Sequence, residues 1–150
     1  MTVTNWLDKE EKKMSVAIRY YSKGGNTEKL AKAVEEALGV PAKTVAESLT
    51  EKADTLFLGC SYYAFDMDPE VKKFIVSNQD KIGKIVLFGT SAMMKSMKKP
   101  MAKVLKDLNA KIKVAEEEFH SPGSFGVVHK GRPNQSDFDA IKKFVNGVDK

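Results

Sequence analysis

Tyr20-Tyr21-Ser22-Lys23-Gly24-Gly25-Asn26-Thr27 follows directly on an apolar run, Val16-Ala17-Ile18, and directly precedes a run with Leu30, Val34, Ala37 and Leu38 at helical spacing. A strand stops there, turns through two glycines flanked by hydroxyls and an amide, and starts a helix. That order exposes backbone N–H groups at a helix N-terminus, where the dipole favours an anion. Ser22 and Thr27 add hydroxyl donors, Asn26 can bridge the loop, and Lys23 brings a cation. The alternative is an ordinary strand-to-helix turn capped by Thr27 or Asn26. The loop, its position and its flanks agree on a phosphate-binding loop. The triphosphate loop (Gly, four residues, Gly-Lys-Ser/Thr) is absent, and so is the dinucleotide fingerprint Gly-x-Gly-x-x-Gly.

Outward from this loop the chain alternates between short apolar runs and amphipathic ones. Val16 to Tyr21 reads as a buried strand and Thr27 to Leu38 as a helix ended by Gly39-Val40-Pro41. Ala42 to Val45 is a short strand, and Ser48 to Lys52 a brief helical turn. Ala53 to Gly59, with Leu56-Phe57-Leu58, is a second buried strand. Pro69 to Asn78 is a helix started by Asp68 with proline in its first turn. Lys84 to Gly89 is a third buried strand, Lys98 to Asn109 a helix, and Lys111 to Val114 an alternating edge strand. Ser136 to Val148 closes the chain as a helix, with Ser136 and Asp139 as its expected capping pair.

Central strands that are apolar throughout, separated by helices, imply a parallel sheet covered on both faces. Right-handed crossovers leave few topologies. With strand order 2-1-3-4-5 the Ser22–Thr27 loop falls at a topological switch point. The expected fold is therefore an α/β three-layer sandwich, a five-stranded parallel sheet of that order with helices on both faces. Residues 14–150 form the domain. Residues 1–13, a mixed-charge stretch holding Trp6-Leu7 but no apolar stripe, read as a polar N-terminal extension.

The run Ser22-x-x-Gly25-Asn26-Thr27 after a first strand resembles the phosphate loop of flavodoxins, which hold the monophosphate of flavin mononucleotide (FMN). The family pattern is Ser/Thr-x-Thr-Gly-Asn-Thr, so Gly24 stands where a threonine is expected and one hydroxyl donor is missing. The resemblance covers roughly residues 15 to 148, and the expected fold is the flavodoxin-like one. It implies FMN contacts from Ser22, Lys23, Gly24, Gly25, Asn26 and Thr27. It also implies contacts from the loops that follow the third and fourth strands. After strand three come Ser61, Tyr62, Tyr63, Ala64 and Phe65, whose three aromatic rings can stack on a flavin. After strand four come Thr90, Ser91, Ala92, Met93 and Met94, with methionine sulfur in place of an aromatic. Many electron-transferring members carry an acidic, aromatic loop at that second place, and this chain departs from them. His120 to Pro133 reads as a long Gly-rich connection of the kind that often carries function.

Bulk properties bound the rest. The chain has 150 residues, a net charge of +5 and a pI near 9.2. No apolar run approaches the ~20 residues of a membrane span. One cysteine, Cys60, excludes an internal disulfide and reads as a small buried hydrophobe. The N-terminus is charged, without a secretory pattern, so the expected location is the cytoplasm. His120 and His129 form no local motif, and no metal-ligand spacing, catalytic triad or carboxylate pair is present. Lys95, Lys98, Lys99, Lys103 and Lys106 cluster with no acid before Asp107. They read first as a solvated helix face and second as a docking patch for an acidic partner; nothing supports nucleic acid or a membrane as partner.

If chemistry occurs, the cofactor carries it and the protein tunes it. The expected function is an FMN-binding redox protein passing electrons between a flavin reductase or other redox protein and an acceptor, as a monomer or weak dimer. The alternatives are an FMN-dependent quinone or protoporphyrinogen reductase/oxidase, and a fold-sharing interaction module without tight flavin binding.

Overall fold

The computed structural model describes residues 15–61, 68–90, 96–122 and 131–150. Five strands form one parallel sheet: β1 (Val16–Tyr20), β2 (Ala42–Thr44), β3 (Ala53–Ser61), β4 (Ile82–Thr90) and β5 (Lys113–Ser121). Their order is β2-β1-β3-β4-β5, as the alternation of elements implies. Four α-helices lie among the described residues: α1 (Asn26–Leu38), α2 (Pro69–Asn78), α3 (Lys98–Asp107) and α4 (Gln135–Gly147). The N-terminal stretch 1–13 lies outside the described residues. No helix among them is long and apolar enough to cross a membrane.

Strand alternation divides the core into two layers. Leu56, Leu58 and Cys60 of β3 and Ile85 and Leu87 of β4 face α2 and α3, where Val71, Ile75, Met97, Met101 and Leu105 meet them. Phe57, Val86 and Phe88 point the other way and pack with Leu30 and Val34 of α1 and Ile141 and Val145 of α4. The central strands are apolar on both faces because both faces are covered. Leu30, Val34, Ile141 and Val145 are each fully buried; burial of such a side chain stabilises by about 1.5–3 kcal/mol.

The sequence-based boundaries need several corrections. Residues 48–52 form no helical turn. The segment after β2 is instead held in place by side chains: Leu49 N donates to Asn78 Oδ1 (2.9 Å), and Arg19 donates to the carbonyls of Glu47 (2.9 Å) and Ser48 (3.2 Å). Strand β3 continues two residues beyond Gly59, and β4 runs from Ile82 to Thr90, so Ser61 and Thr90 end strands rather than open loops. Helix α3 stops at Asp107, two residues short of Asn109. Strand β5 starts at Lys113 and extends to Ser121, far past Val114. Its register slips against β4 between Ile85 and Leu87, which leaves Glu116 and Glu117 exposed. A bulge carrying charge blunts an open sheet edge. Finally, α4 is capped by Asn134 with Asp137 in a reciprocal capping box, not by Ser136 with Asp139.

Candidate functional site

The loop between β1 and α1 stands at the carboxyl edge of the sheet, between neighbours β2 and β3, where the connections diverge to opposite faces. Tyr21 N donates to Gly59 O at 2.9 Å, which carries the chain off β1 in line with β3. Ser22 Oγ then accepts from Gly25 N at 3.0 Å and closes the turn. A hydroxyl that accepts one hydrogen bond still has its own proton to donate.

Gly25 is the N-cap of α1, in the left-handed region at φ 91°, with no side-chain cap bond. Only glycine adopts that conformation without steric cost. The first bond of the helical ladder runs from Lys29 N to Gly25 O at 3.2 Å, so the amides of the first turn lie ahead of the ladder. A Cβ at Gly24 or Gly25 would meet nothing within 4 Å. The backbone of the turn thus borders open space at the positive end of a helix, with Lys23 exposed beside it. That combination suits a doubly charged anion approaching the main chain.

Thr27 lies under the turn rather than on its surface. It is fully buried, and its Oγ1 is 3.1 Å from Thr90 Oγ1 at the end of β4. The structure therefore brings together two of the residues expected at the site, 63 positions apart in sequence. Gly59 makes the seat for this contact. A Cβ there would lie 2.5 Å from the Phe88 ring and 3.1 Å from Thr27 Cγ2, so glycine is what lets the start of α1 settle onto the sheet. Ser61 closes β3 opposite Thr90 of β4 in the register. Tyr62, Tyr63, Ala64, Phe65, Ser91, Ala92, Met93 and Met94 lie outside the described residues, as do residues 123–130 of the connection after β5.

A cleft of about 430 Å³ opens at the carboxyl ends of β1 and β2 and touches the loop through Ser22. Glu28 and Glu70 line it together with Tyr20 and Tyr21. Tyr20 Oη donates to Glu28 Oε2 at 3.2 Å, and burial, then the neighbouring Glu28, pushes the phenol above its ordinary range. Two carboxylates repel a phosphate, so this cleft does not suit an anion.

Reading the sequence missed two groups. The first is Arg19, which is buried, and whose NH1 also donates to Ile18 O at 2.9 Å. Desolvation lowers its pKa, and three backbone carbonyls each take one of its N–H donors. Its apolar neighbours in the sequence gave no signal of this role. The second is the pair Glu118 and His120 near the end of β5. Glu118 accepts from Ser96 Oγ and from Met97 N (3.3 Å), which ties the start of α3 to the sheet. His120 Nε2 lies 3.1 Å from Glu118 Oε2, and both buried ring nitrogens have no hydrogen-bond partner among the described residues. Alternation along a longer β5 was the signal that would have found this pair.

Cys60 is buried, and burial pushes its thiol to about 12. It is inert at neutral pH, as expected of a core residue. No group of three or more His, Cys, Asp or Glu among the described residues could hold a metal ion.

Solved structures of the same architecture include a flavodoxin from the domain Archaea, with a TM-score of 0.66 and 16% identity over 87% of this chain and 92% of that one. Oxidised flavodoxin 1 from Bacillus cereus matches with a TM-score of 0.63 and 16% identity, over 90% and 99% of the two chains. Rubredoxin oxygen:oxidoreductase from Desulfovibrio gigas matches over 96% of this chain but 38% of its own, with a TM-score of 0.62 and 16% identity. At such identities the likeness shows the fold alone. Comparison with curated protein sequences finds no match. The family model described as a flavodoxin domain matches residues 17–130, which span the phosphate-type loop, β1 to β5 and the start of the connection beyond. With that match and this fold, the chain belongs to the flavodoxin domain family, a family of FMN-binding domains.

Proposed function

We propose that this protein binds FMN through the Ser22–Thr27 loop and passes electrons between a reductase and an acceptor protein. One observation carries the reading. The turn into α1 keeps a left-handed glycine, open space around two glycine backbones and a helix N-terminus together at the switch point of the sheet. An ordinary capped turn would place a side chain where this one leaves its backbone accessible.

In this reading the residues divide the work. The amides at Gly24 and in the first turn of α1 donate to the phosphate oxygens, and the Ser22 hydroxyl, whose oxygen already accepts from Gly25 N, donates its proton to one of them. Lys23 supplies a counter-charge. Thr27, through Thr90, fixes the start of α1 against β4, so that the amides stand in place before the ligand arrives. Ser61 and Thr90, at adjacent strand ends, precede the two segments expected to hold the ring, the first carrying Tyr62, Tyr63 and Phe65 in its sequence and the second Met93 and Met94. When bound, FMN supplies one- and two-electron transfer; the protein supplies binding, orientation and electrostatics. The segment after β4, Ser91 to Lys95, holds no acidic residue, whereas the segment after β3 holds Asp66 and Asp68.

The test is retention. Purified protein incubated with FMN and freed of excess ligand should show a bound flavin spectrum at a ratio of one per chain. A colourless protein that still holds its fold would reject the FMN reading and favour an interaction module.

A further inference from the structure

We propose that the outer face of α3 is a docking surface for an acidic redox protein. This rests on the FMN reading above and names the kind of partner with which that site exchanges electrons.

Lys99, Lys103 and Lys106 are spaced by four and three residues, which puts them on one helical stripe. All three are exposed, while Met97, Met101 and Leu105 on the opposite side are buried in the core. Charge is concentrated on this helix. α1 carries three glutamates and two lysines, α2 one glutamate and two lysines, and α4 two aspartates and two lysines. α3 carries four lysines against the single Asp107. Most of the chain's net charge of +5 therefore sits on one element.

Local electrostatics do not favour that arrangement. Lys98 and Lys99 occupy the first turn, which holds no acid, at the end where the helix dipole opposes cations. A face kept only for solubility mixes its signs and gains from i,i+4 pairs. Here Lys103 reaches Asp107 at 3.7 Å and Lys98 reaches Glu116 at 3.9 Å, both exposed contacts of little strength. Lys99 and Lys106 have no ion-pair partner among the described residues. Negative charge from outside would offset the repulsion within the stripe.

The stripe also has the right position. α3 follows β4 and so begins at the carboxyl edge of the sheet, the edge that holds the Ser22–Thr27 loop. The start of α3 therefore shares that edge with the loop, while the helix lies on the other face of the sheet from α1. Redox complexes of this kind are small, weak and steered by charge. A membrane-lying helix needs a free apolar side, and the apolar side of α3 is spent in the core. The stripe has no aromatic residue for stacking on nucleic acid.

The experiment titrates the isotopically labelled full chain with an acidic plant-type [2Fe–2S] ferredoxin and follows amide chemical shifts, with and without FMN. The expected result is a set of shifts confined to α3 and its neighbours. The Kd should rise about tenfold between about 20 mM and about 200 mM NaCl. Joint replacement Lys99→Glu, Lys103→Glu and Lys106→Glu should raise Kd about tenfold or more at low salt. If that variant does not fold, the Lys→Gln triple at the same positions gives the same test with a smaller rise. Failure to load FMN would be seen in the flavin spectrum and would leave this binding measurable, so the two readings fail separately. No binding, shifts on another face, salt-independent binding, or tighter binding to phosphatidylglycerol vesicles or duplex DNA would each overturn the proposal.

Discussion

Gly24 and Gly25 are neighbours with different duties. Gly25 sits at φ 91°, and Gly24 is not among the positive-φ residues. A side chain at Gly25 forces the turn out of its left-handed conformation, at a strain of roughly 1–2 kcal/mol. FMN binding would have to restore that conformation, so Gly25→Ala should raise the FMN Kd by about tenfold, since about 1.4 kcal/mol is a factor of ten. Gly24→Thr puts back the hydroxyl that the family pattern carries, in a place where an added Cβ meets nothing within 4 Å. It should leave affinity unchanged or tighten it. Fluorescence titration of both variants checks the pair of outcomes; equal weakening by both would show that the loop acts as filler rather than as a shaped anion seat. Ser22 closes the turn by accepting from Gly25 N, and its hydroxyl still has a proton to donate.

Among the elements, α4 shows how a helix start can fasten a long connection. Asn134 Oδ1 accepts from Asp137 N (3.3 Å) and Asp137 Oδ2 accepts from Asn134 N (2.8 Å). The Arg132 guanidinium donates to both oxygens of Asp137, at 2.7 and 2.5 Å. These bonds, the Arg132 contact first, hold the Asp137 carboxyl below its ordinary value of 3.8. A carboxylate with a lowered folded pKa stabilises the fold fully above its unfolded pKa, and the contribution is lost as pH falls through the folded value. Asp137→Asn should therefore lower Tm by about 3–5 °C at neutral pH. The gap between variant and parent should close as pH drops below about 4. A gap that stays constant into acid, followed by circular dichroism, would contradict this account. The sequence misplaces this cap because Ser136-x-x-Asp139 and Asn134-x-x-Asp137 are both plausible boxes; the deciding partner, Arg132, acts through geometry. β5 was cut short for a similar reason. Glu116-Glu117-Glu118 interrupts the apolar pattern of a strand, and only a bulged edge position tolerates it.

For the molecule as a whole, the apolar runs of β1, β3 and β4 and the glycine turn after β1 were enough to read the sheet order and to put that turn at its switch point. Both follow from local rules: two-sided burial makes a strand apolar throughout, and a parallel sheet needs helical crossovers. The support beneath the site was not legible. Thr27 meets Thr90 across 63 residues, and Gly59 is needed because Phe88 and Thr27 converge on it. Such contacts depend on register and layer, which no local pattern carries. We propose above all that this fold presents a seat for a terminal phosphate. The most direct measurement compares the affinities of FMN and riboflavin for the same preparation by calorimetry. Charge-assisted hydrogen bonds are worth about 1.5–3 kcal/mol each, so two or more of them should make FMN bind at least about 100-fold tighter. Equal affinity for the two flavins would contradict the claim, because riboflavin shares the ring and ribityl chain and lacks only the phosphate.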